Sequence, residues 1–215
     1  MATTELRVSP EDVKQAASQV QERIPEPSVA VIFGASGDLT KRKLLPALFH
    51  LEQGGLLPEH FRIVGVARRD LGQAFADDMR QGILEFGGVE RNADKLDAFI
   101  EKISYHAMDF DNDQGYDALK KLLAQYDNDY GTRGNRLFYL ATAPDYFADI
   151  VHRLGAHSMA KPEVGKTRII IEKPFGHDLE SARELNDDVN TVFRENQIFR
   201  IIPYLGKDTV QNALV

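Results

Sequence analysis

The sequence predicts a doubly wound α/β domain, a mostly parallel sheet of about six strands flanked by helices. Three observations carry this. Short apolar runs of strand length recur along the chain, as in strands buried on both faces. Each run is followed by a stretch with apolar residues at helical spacing, which argues for βαβ units and right-handed crossovers. A glycine-rich turn directly follows the first run, where such sheets place a ligand. The composition agrees: 215 residues, 43% hydrophobic and 27% charged, form an ordinary globular balance.

Residues 1–27 read as a polar arm, in which Glu11 to Arg23 form a short amphipathic helix before the breaker Pro25-Glu26-Pro27. The coenzyme-type domain is expected over 28–201. Val29-Ala30-Val31-Ile32-Phe33 is the first strand, and Gly34-Ala35-Ser36-Gly37-Asp38 turns into a helix carrying Leu44, Leu45, Leu48 and Leu51. Gly54-Gly55 closes that helix. The second strand is expected over 62–67, followed by helices near 74–86 and 93–103. A weaker third strand is expected at 105–110 and a helix at 114–126. The fourth strand, Leu137 to Ala141, leads into a helix near 144–154. The fifth covers Arg168 to Glu172, a helix runs from Leu179 to Phe193, and a sixth strand runs from Ile198 to Tyr204. Residues 202–215 are expected to begin a further domain.

Several function classes are excluded or unsupported. Lys and Arg number 26 against 33 Asp and Glu, so a net charge of -7 offers no general footprint for nucleic acid or an anionic membrane. With no cysteine, disulfides, thiolate metal sites and cysteine nucleophiles are absent. The apolar runs are too short to span a bilayer, and the N-terminus lacks the apolar region of a secretory signal, so a cytoplasmic protein is expected. Asp109-Phe110-Asp111-Asn112-Asp113 invites a calcium-loop reading, but the sixth and twelfth positions are Gln114 and Lys120 rather than Gly and Glu. It reads instead as a strand end and helix cap, and Asp127-Asn128-Asp129-Tyr130-Gly131 as a solvated turn. Zinc-helix and nucleophile-elbow motifs are missing, and no metal site is expected.

The glycine turn carries the chemistry. Gly34 and Gly37 let the backbone approach a pyrophosphate, and the helix N-terminus behind them offers unpaired N–H groups and partial positive charge. Ser36 adds a hydroxyl donor. The second strand ends in Ala67-Arg68-Arg69, where NAD-binding folds usually place an acid for the ribose hydroxyl. A guanidinium there suits a 2′-phosphate, so NADP is the expected cofactor. Asp70 reads as the next helix's N-cap. Lys41, Arg42 and Lys43 either add positive charge near the phosphates or are solvated surface residues.

Four ordered motifs resemble the glucose-6-phosphate dehydrogenase family: Gly34-Ala35-Ser36-Gly37-Asp38-Leu39-Thr40-Lys41-Arg42-Lys43-Leu44, Asn135-Arg136-Leu137-Phe138-Tyr139-Leu140-Ala141, Glu172-Lys173-Pro174-Phe175-Gly176 and Tyr204-Leu205-Gly206-Lys207. The likeness covers Ser28 to Asn212. It implies a Rossmann-type coenzyme domain followed by a large β+α domain. The implied reaction is oxidation of glucose 6-phosphate to the 6-phosphogluconolactone with NADP, in the pentose phosphate pathway. By the same resemblance, Gly34, Ala35, Ser36, Gly37, Asp38, Leu39 and Thr40 hold the pyrophosphate, with Lys43 nearby, and Arg68 holds the 2′-phosphate. Pro144 lies near the nicotinamide, Lys173 bridges coenzyme and sugar, and Tyr204 and Lys207 contact the sugar phosphate.

The chain departs from the family at one motif. Where the family reads Arg-Ile-Asp-His-Tyr-Leu-Gly-Lys, this chain has Arg200-Ile201-Ile202-Pro203-Tyr204-Leu205-Gly206-Lys207. Ile202 has no polar atom and Pro203 lacks even a backbone donor, so neither replaces a phosphate ligand. The family's general-base histidine is implied further along, in the β+α domain. None of His50, His60, His106, His152, His157 and His177 is assigned to that role, and no catalytic residue is expected in this chain. The 215-residue chain is therefore expected to bind NADP, to bind glucose 6-phosphate weakly or not at all, and to be inactive. Self-association through a face left by a missing domain is a further expectation. Two origins fit, an engineered coenzyme domain and a truncated paralogue. The alternative function is a catalytically silent NADP-binding module with an assembly role.

Overall fold

A computed structural model describes residues 25–88, 93–172 and 179–201. The helix expected over Glu11 to Arg23 lies outside these residues, as do His177 and the candidate site residues Lys173, Tyr204 and Lys207, with the Ile202-Pro203 departure.

The all-apolar run Val29–Phe33 (β1) occupies the centre of the sheet and is buried along its whole length. It pairs in parallel with Arg62–Ala67 (β2) on one side and Arg136–Leu140 (β4) on the other. Ile103–Ala107 (β3) extends the sheet beyond β2, and Thr167–Glu172 (β5) and Ile198–Ile201 (β6) extend it beyond β4. The order is β3-β2-β1-β4-β5-β6 and every pairing is parallel.

Helices cover both faces, which is why the central strands read as continuous apolar runs rather than alternating ones. Successive residues of β1 point to opposite layers. Val29, Val31 and Phe33 join a core with helices Asp113–Tyr130 (α4), Phe147–Ala156 (α5) and Leu179–Val192 (α6). Ala30 and Ile32 face helices Leu45–Gln53 (α1), Ala74–Phe86 (α2) and Ala93–Ile100 (α3), where Phe49 and Phe99 meet edge to face at 5.3 Å.

Three local expectations shift. The third strand begins at Ile103, two residues earlier than its sequence pattern indicated. As an edge strand it is only half-buried, so it shows no clean apolar run, while Met108 and Phe110, which looked like strand residues, turn into the core just beyond it. The Asp127 segment is not a solvated turn: α4 continues to Tyr130 and ends at Gly131 in a left-handed conformation. Asp70 caps no helix. Its carboxylate accepts from the Gly72 N–H at 3.1 Å, which closes a turn ahead of α2. The Asp109–Gln114 segment does hold a helix cap, with Asn112 accepting from the N–H groups of Gln114 and Gly115.

Gly65 in β2 is required by close packing. A Cβ there would lie 2.5 Å from the Phe75 ring and 2.9 Å from the Ala35 side chain. Ala35 belongs to the glycine turn and is fully buried, so it has no room to retreat. Gly65→Ala is expected to destabilise the domain by ~2 kcal/mol, lowering Tm by about 4–8 °C in a thermal melt.

Candidate functional site

In this strand order the connections depart in opposite directions from the junction of β1 and β4, which opens a crevice beyond their carboxyl ends. The turn after β1 fills it. Gly34 adopts φ +84°, a backbone conformation that a side chain strains, and a Cβ there would land on the Ala141 carbonyl oxygen beyond β4. The N–H groups of Gly34 and Ala35 both donate to the Val66 carbonyl of β2, at 2.8 and 3.1 Å. The turn is thus tied to both neighbouring strands.

The next donors are arranged differently. Gly37 N–H closes the turn on Gly34 O at 2.9 Å, and Lys41 N–H donates to Gly37 O at 3.2 Å. The amides of Asp38 and Leu39 precede that first helical bond and stand at the positive end of the helix, where an anion is favoured. Ser36 and Gly37 are half-buried beside them. Asp38, the one acid in the turn, pairs with Arg42 at 3.7 Å. The helix opens with a π-helical turn, Thr40–Leu44, a local widening often found at functional sites. These groups fit an oxyanion such as a pyrophosphate.

The remaining expected residues separate into groups. Leu39 packs on the α1-side core, and Thr40 is fully buried with its hydroxyl unpartnered. Lys43 is exposed one turn into the helix. Of its neighbours, Lys41 is committed to Asp78 of α2, and the Arg42 guanidinium also lies 4.7 Å over the Phe86 ring. Arg68, exposed beyond β2, extends toward the junction: its Nη1 donates to the Tyr146 hydroxyl at 2.9 Å, with the guanidinium 5.0 Å from the ring centroid. Pro144 begins the 3-10 turn that carries Tyr146, just after β4.

Tyr146 was not singled out by the sequence. It is one of many aromatics there, and only the β2-β1-β4 order brings it to Arg68. It rests edge to face on Phe110 at 5.3 Å, so a core residue supports the pair. A second unanticipated pair fixes the end of β5: the Tyr139 hydroxyl donates to Glu172, the residue before Lys173. Burial, then the Glu172 carboxylate, push the Tyr139 phenol well above its ordinary pKa, so it stays a donor.

The described histidines face other tasks. His50 lies 2.6 Å from the Gly87 carbonyl, His106 lies 2.9 Å from the Gly115 carbonyl, and His60 stacks on Tyr130. His152 pairs with Asp188, and His157 pairs with Asp113 and Asp117. Among the described residues no group of three His, Cys, Asp or Glu could hold a metal, and no helix is long and apolar enough to cross a membrane.

Comparison with known proteins agrees with this geometry. The family model described as glucose-6-phosphate dehydrogenase, NAD binding domain, matches residues 31–212. Glucose-6-phosphate 1-dehydrogenase of Chlamydia pneumoniae is 47% identical over 193 residues, which are 87% of this chain and 38% of the relative. The enzyme of Bacillus subtilis is 44% identical, over 87% of this chain and 37% of its own length. A solved glucose-6-phosphate dehydrogenase in complex with its substrate glucose-6-phosphate superposes with a TM-score of 0.76 at 40% identity, covering 88% of this chain and 39% of that one. The Mycobacterium avium enzyme superposes with a TM-score of 0.70 at 33% identity, covering 82% and 36%. The chain thus spans under two-fifths of the length of these relatives. With its family match running from β1 through β6, this chain belongs to the glucose-6-phosphate dehydrogenase family, as its NAD-binding domain.

Proposed function

We propose that the chain is the coenzyme-binding part of an enzyme that oxidises glucose 6-phosphate, and that it binds NADP in preference to NAD. The observation that carries this reading is Arg68, which stands beyond β2 where an acid would serve NAD, already oriented by Tyr146. In this reading the amides of Asp38 and Leu39, with Ser36 and Gly37, hold the pyrophosphate, and Arg68 binds the 2′-phosphate. Pro144 borders the nicotinamide, and Lys43 adds positive charge along the first helix. Lys173 would bridge coenzyme and sugar, and Tyr204 and Lys207 would contact the sugar phosphate. Bound NADP supplies the hydride acceptor.

Oxidation of a hydroxyl carbon also needs a base for the proton. The resemblance gives that role to none of the histidines here, and the five described ones are engaged in the contacts given above. The 215-residue chain is therefore expected to bind coenzyme without turning over glucose 6-phosphate. Calorimetric titration with NADP and NAD tests the first claim: equal affinity for the two would sink it. NADPH absorbance in the presence of glucose 6-phosphate tests the second, and turnover in the usual enzymatic range, about 1 to 10³ per second, overturns it.

A further inference from the structure

At the amino ends of β5 and β6, the opposite end of the sheet from the glycine turn, lies a cleft of 440 Å³ lined by Lys161, Lys166, Arg168 and Arg194. Among the described residues no carboxylate lines it. Of the two acids nearest in sequence, Glu195 is held by Arg200, at 2.7 Å, and Glu163, exposed in the loop between the two lysines, is not part of the lining. Lys161, Lys166 and Arg194 form no ion pair with any described residue. Arg168 is half-buried and already engaged, and contributes its field. In a protein of net charge -7, the three cations Lys161, Lys166 and Arg194 around one cleft repel one another, and an anion between them relieves that repulsion.

The walls are preformed. One amide rivets three segments together: Gln197 Nε2 donates to the Ala160 carbonyl at 3.0 Å and the Thr167 carbonyl at 2.9 Å, while its Oε1 accepts from the Arg194 N–H at 2.9 Å. Thr167, also in the wall, is almost fully buried and its hydroxyl has no hydrogen-bond partner. A fixed frame lowers the ordering cost of binding. The volume falls in the small-molecule range, and no aromatic side chain lines the cleft to stack a nucleic-acid base.

We infer that this cleft is a binding site for a small, multiply charged oxyanion of the phosphate class, held by Lys161, Lys166 and Arg194. It shares no residue with the proposed coenzyme site and does not depend on it.

The probe is tripolyphosphate, titrated calorimetrically at low, constant ionic strength into the wild-type chain, the Lys166→Ala/Arg194→Ala double variant and Arg68→Ala. The wild-type chain is expected to bind, and the double variant to bind at least about 100-fold more weakly, roughly tenfold for each cation removed. Arg68→Ala is expected to retain the site. Both cleft substitutions fall on exposed side chains, and an unchanged thermal midpoint confirms that the double variant folds. Wild-type binding in the double variant overturns the inference, as does no binding to the wild-type chain at millimolar tripolyphosphate. Loss of all binding in Arg68→Ala also overturns it, since the anion then sits in the coenzyme crevice. Equal binding of citrate at matched ionic strength reduces the effect to general charge attraction and overturns the phosphate assignment. Failure to bind NADP would overturn the coenzyme reading and leave these outcomes readable.

Discussion

Replacing Arg68 with alanine is expected to weaken NADP binding by about 10- to 150-fold, the value of a charged hydrogen bond of roughly 1.5–3 kcal/mol. NAD binding should hardly change, because NAD lacks the 2′-phosphate. The effect is expected at the upper end because the guanidinium is already ordered. Tyr146 receives its hydrogen bond at 2.9 Å and stacks beneath it, and Phe110 of the core supports Tyr146. Little side-chain freedom remains to be lost when the phosphate arrives. Arg68→Glu should go further and repel the 2′-phosphate, leaving NAD the preferred ligand. Paired titrations of both coenzymes against both variants check this, and unchanged NADP affinity in Arg68→Ala would show that another group reads the phosphate.

Asp127→Ala is expected to cost about 3 kcal/mol of stability, the scale of breaking a buried ion pair by removing one partner. Asp127 binds Arg136 at 2.5 Å, the Thr132 hydroxyl at 2.6 Å and the Gly134 N–H at 2.8 Å. Arg136 starts β4 with its side chain only 7% exposed, so the substitution strands a charge next to the central strand. Carbonyls of Leu123 and Asn135 still accept from that guanidinium, and Asp127 keeps some exposure, which holds the cost at the lower end of the range.

Burial alone would raise the Asp127 pKa. The bonds from Arg136, Gly134 and Thr132 outweigh it and hold the carboxyl below its ordinary value of 3.8. A depressed carboxyl stabilises the fold fully above its unfolded value, and that contribution is lost as pH falls through the lower folded value. Denaturant titrations of wild type and Asp127→Asn should therefore differ most near neutral pH and converge below about pH 4. A gap that stays constant down to strong acid would rule out ionisation of this residue as the cause.

The motifs themselves divide along the same line. Asn135-Arg136 belongs to a run that read as part of a family signature, yet its work here is structural. Asn135 donates to the Pro27 carbonyl at 3.1 Å and accepts from the Lys166 N–H at 2.9 Å, while Arg136 ties β4 to the end of α4. Lys41 and Arg42 read either as positive charge near the phosphates or as solvated surface residues, but α2 supplies Asp78 to the first and Asp38 and Phe86 take the second. Asp38 is a local partner, four residues before Arg42, but Asp78 and Phe86 lie on another element, and nothing local in the chain announces them.

What the sequence determined alone was set by short-range physics. A strand buried on both faces must be apolar throughout, as Val29–Phe33 is, and a tight turn next to another backbone needs Gly34. Those constraints act within a few residues, so the alternating elements, the turn and the two-layered helical cover could be read in order. The edge strand β3 was displaced because a half-buried strand has no continuous apolar signal. Tertiary structure alone decided the pairs that cross between elements: Arg68 with Tyr146, Asp127 with Arg136, Tyr139 with Glu172, and the four cations at the amino ends of β5 and β6. Asp127 and Arg136 meet across the short connection from α4 to β4, whereas the others depend on the β3-β2-β1-β4-β5-β6 order, which brings together residues from distant parts of the chain, and contacts made across such separations leave no period or spacing in the sequence.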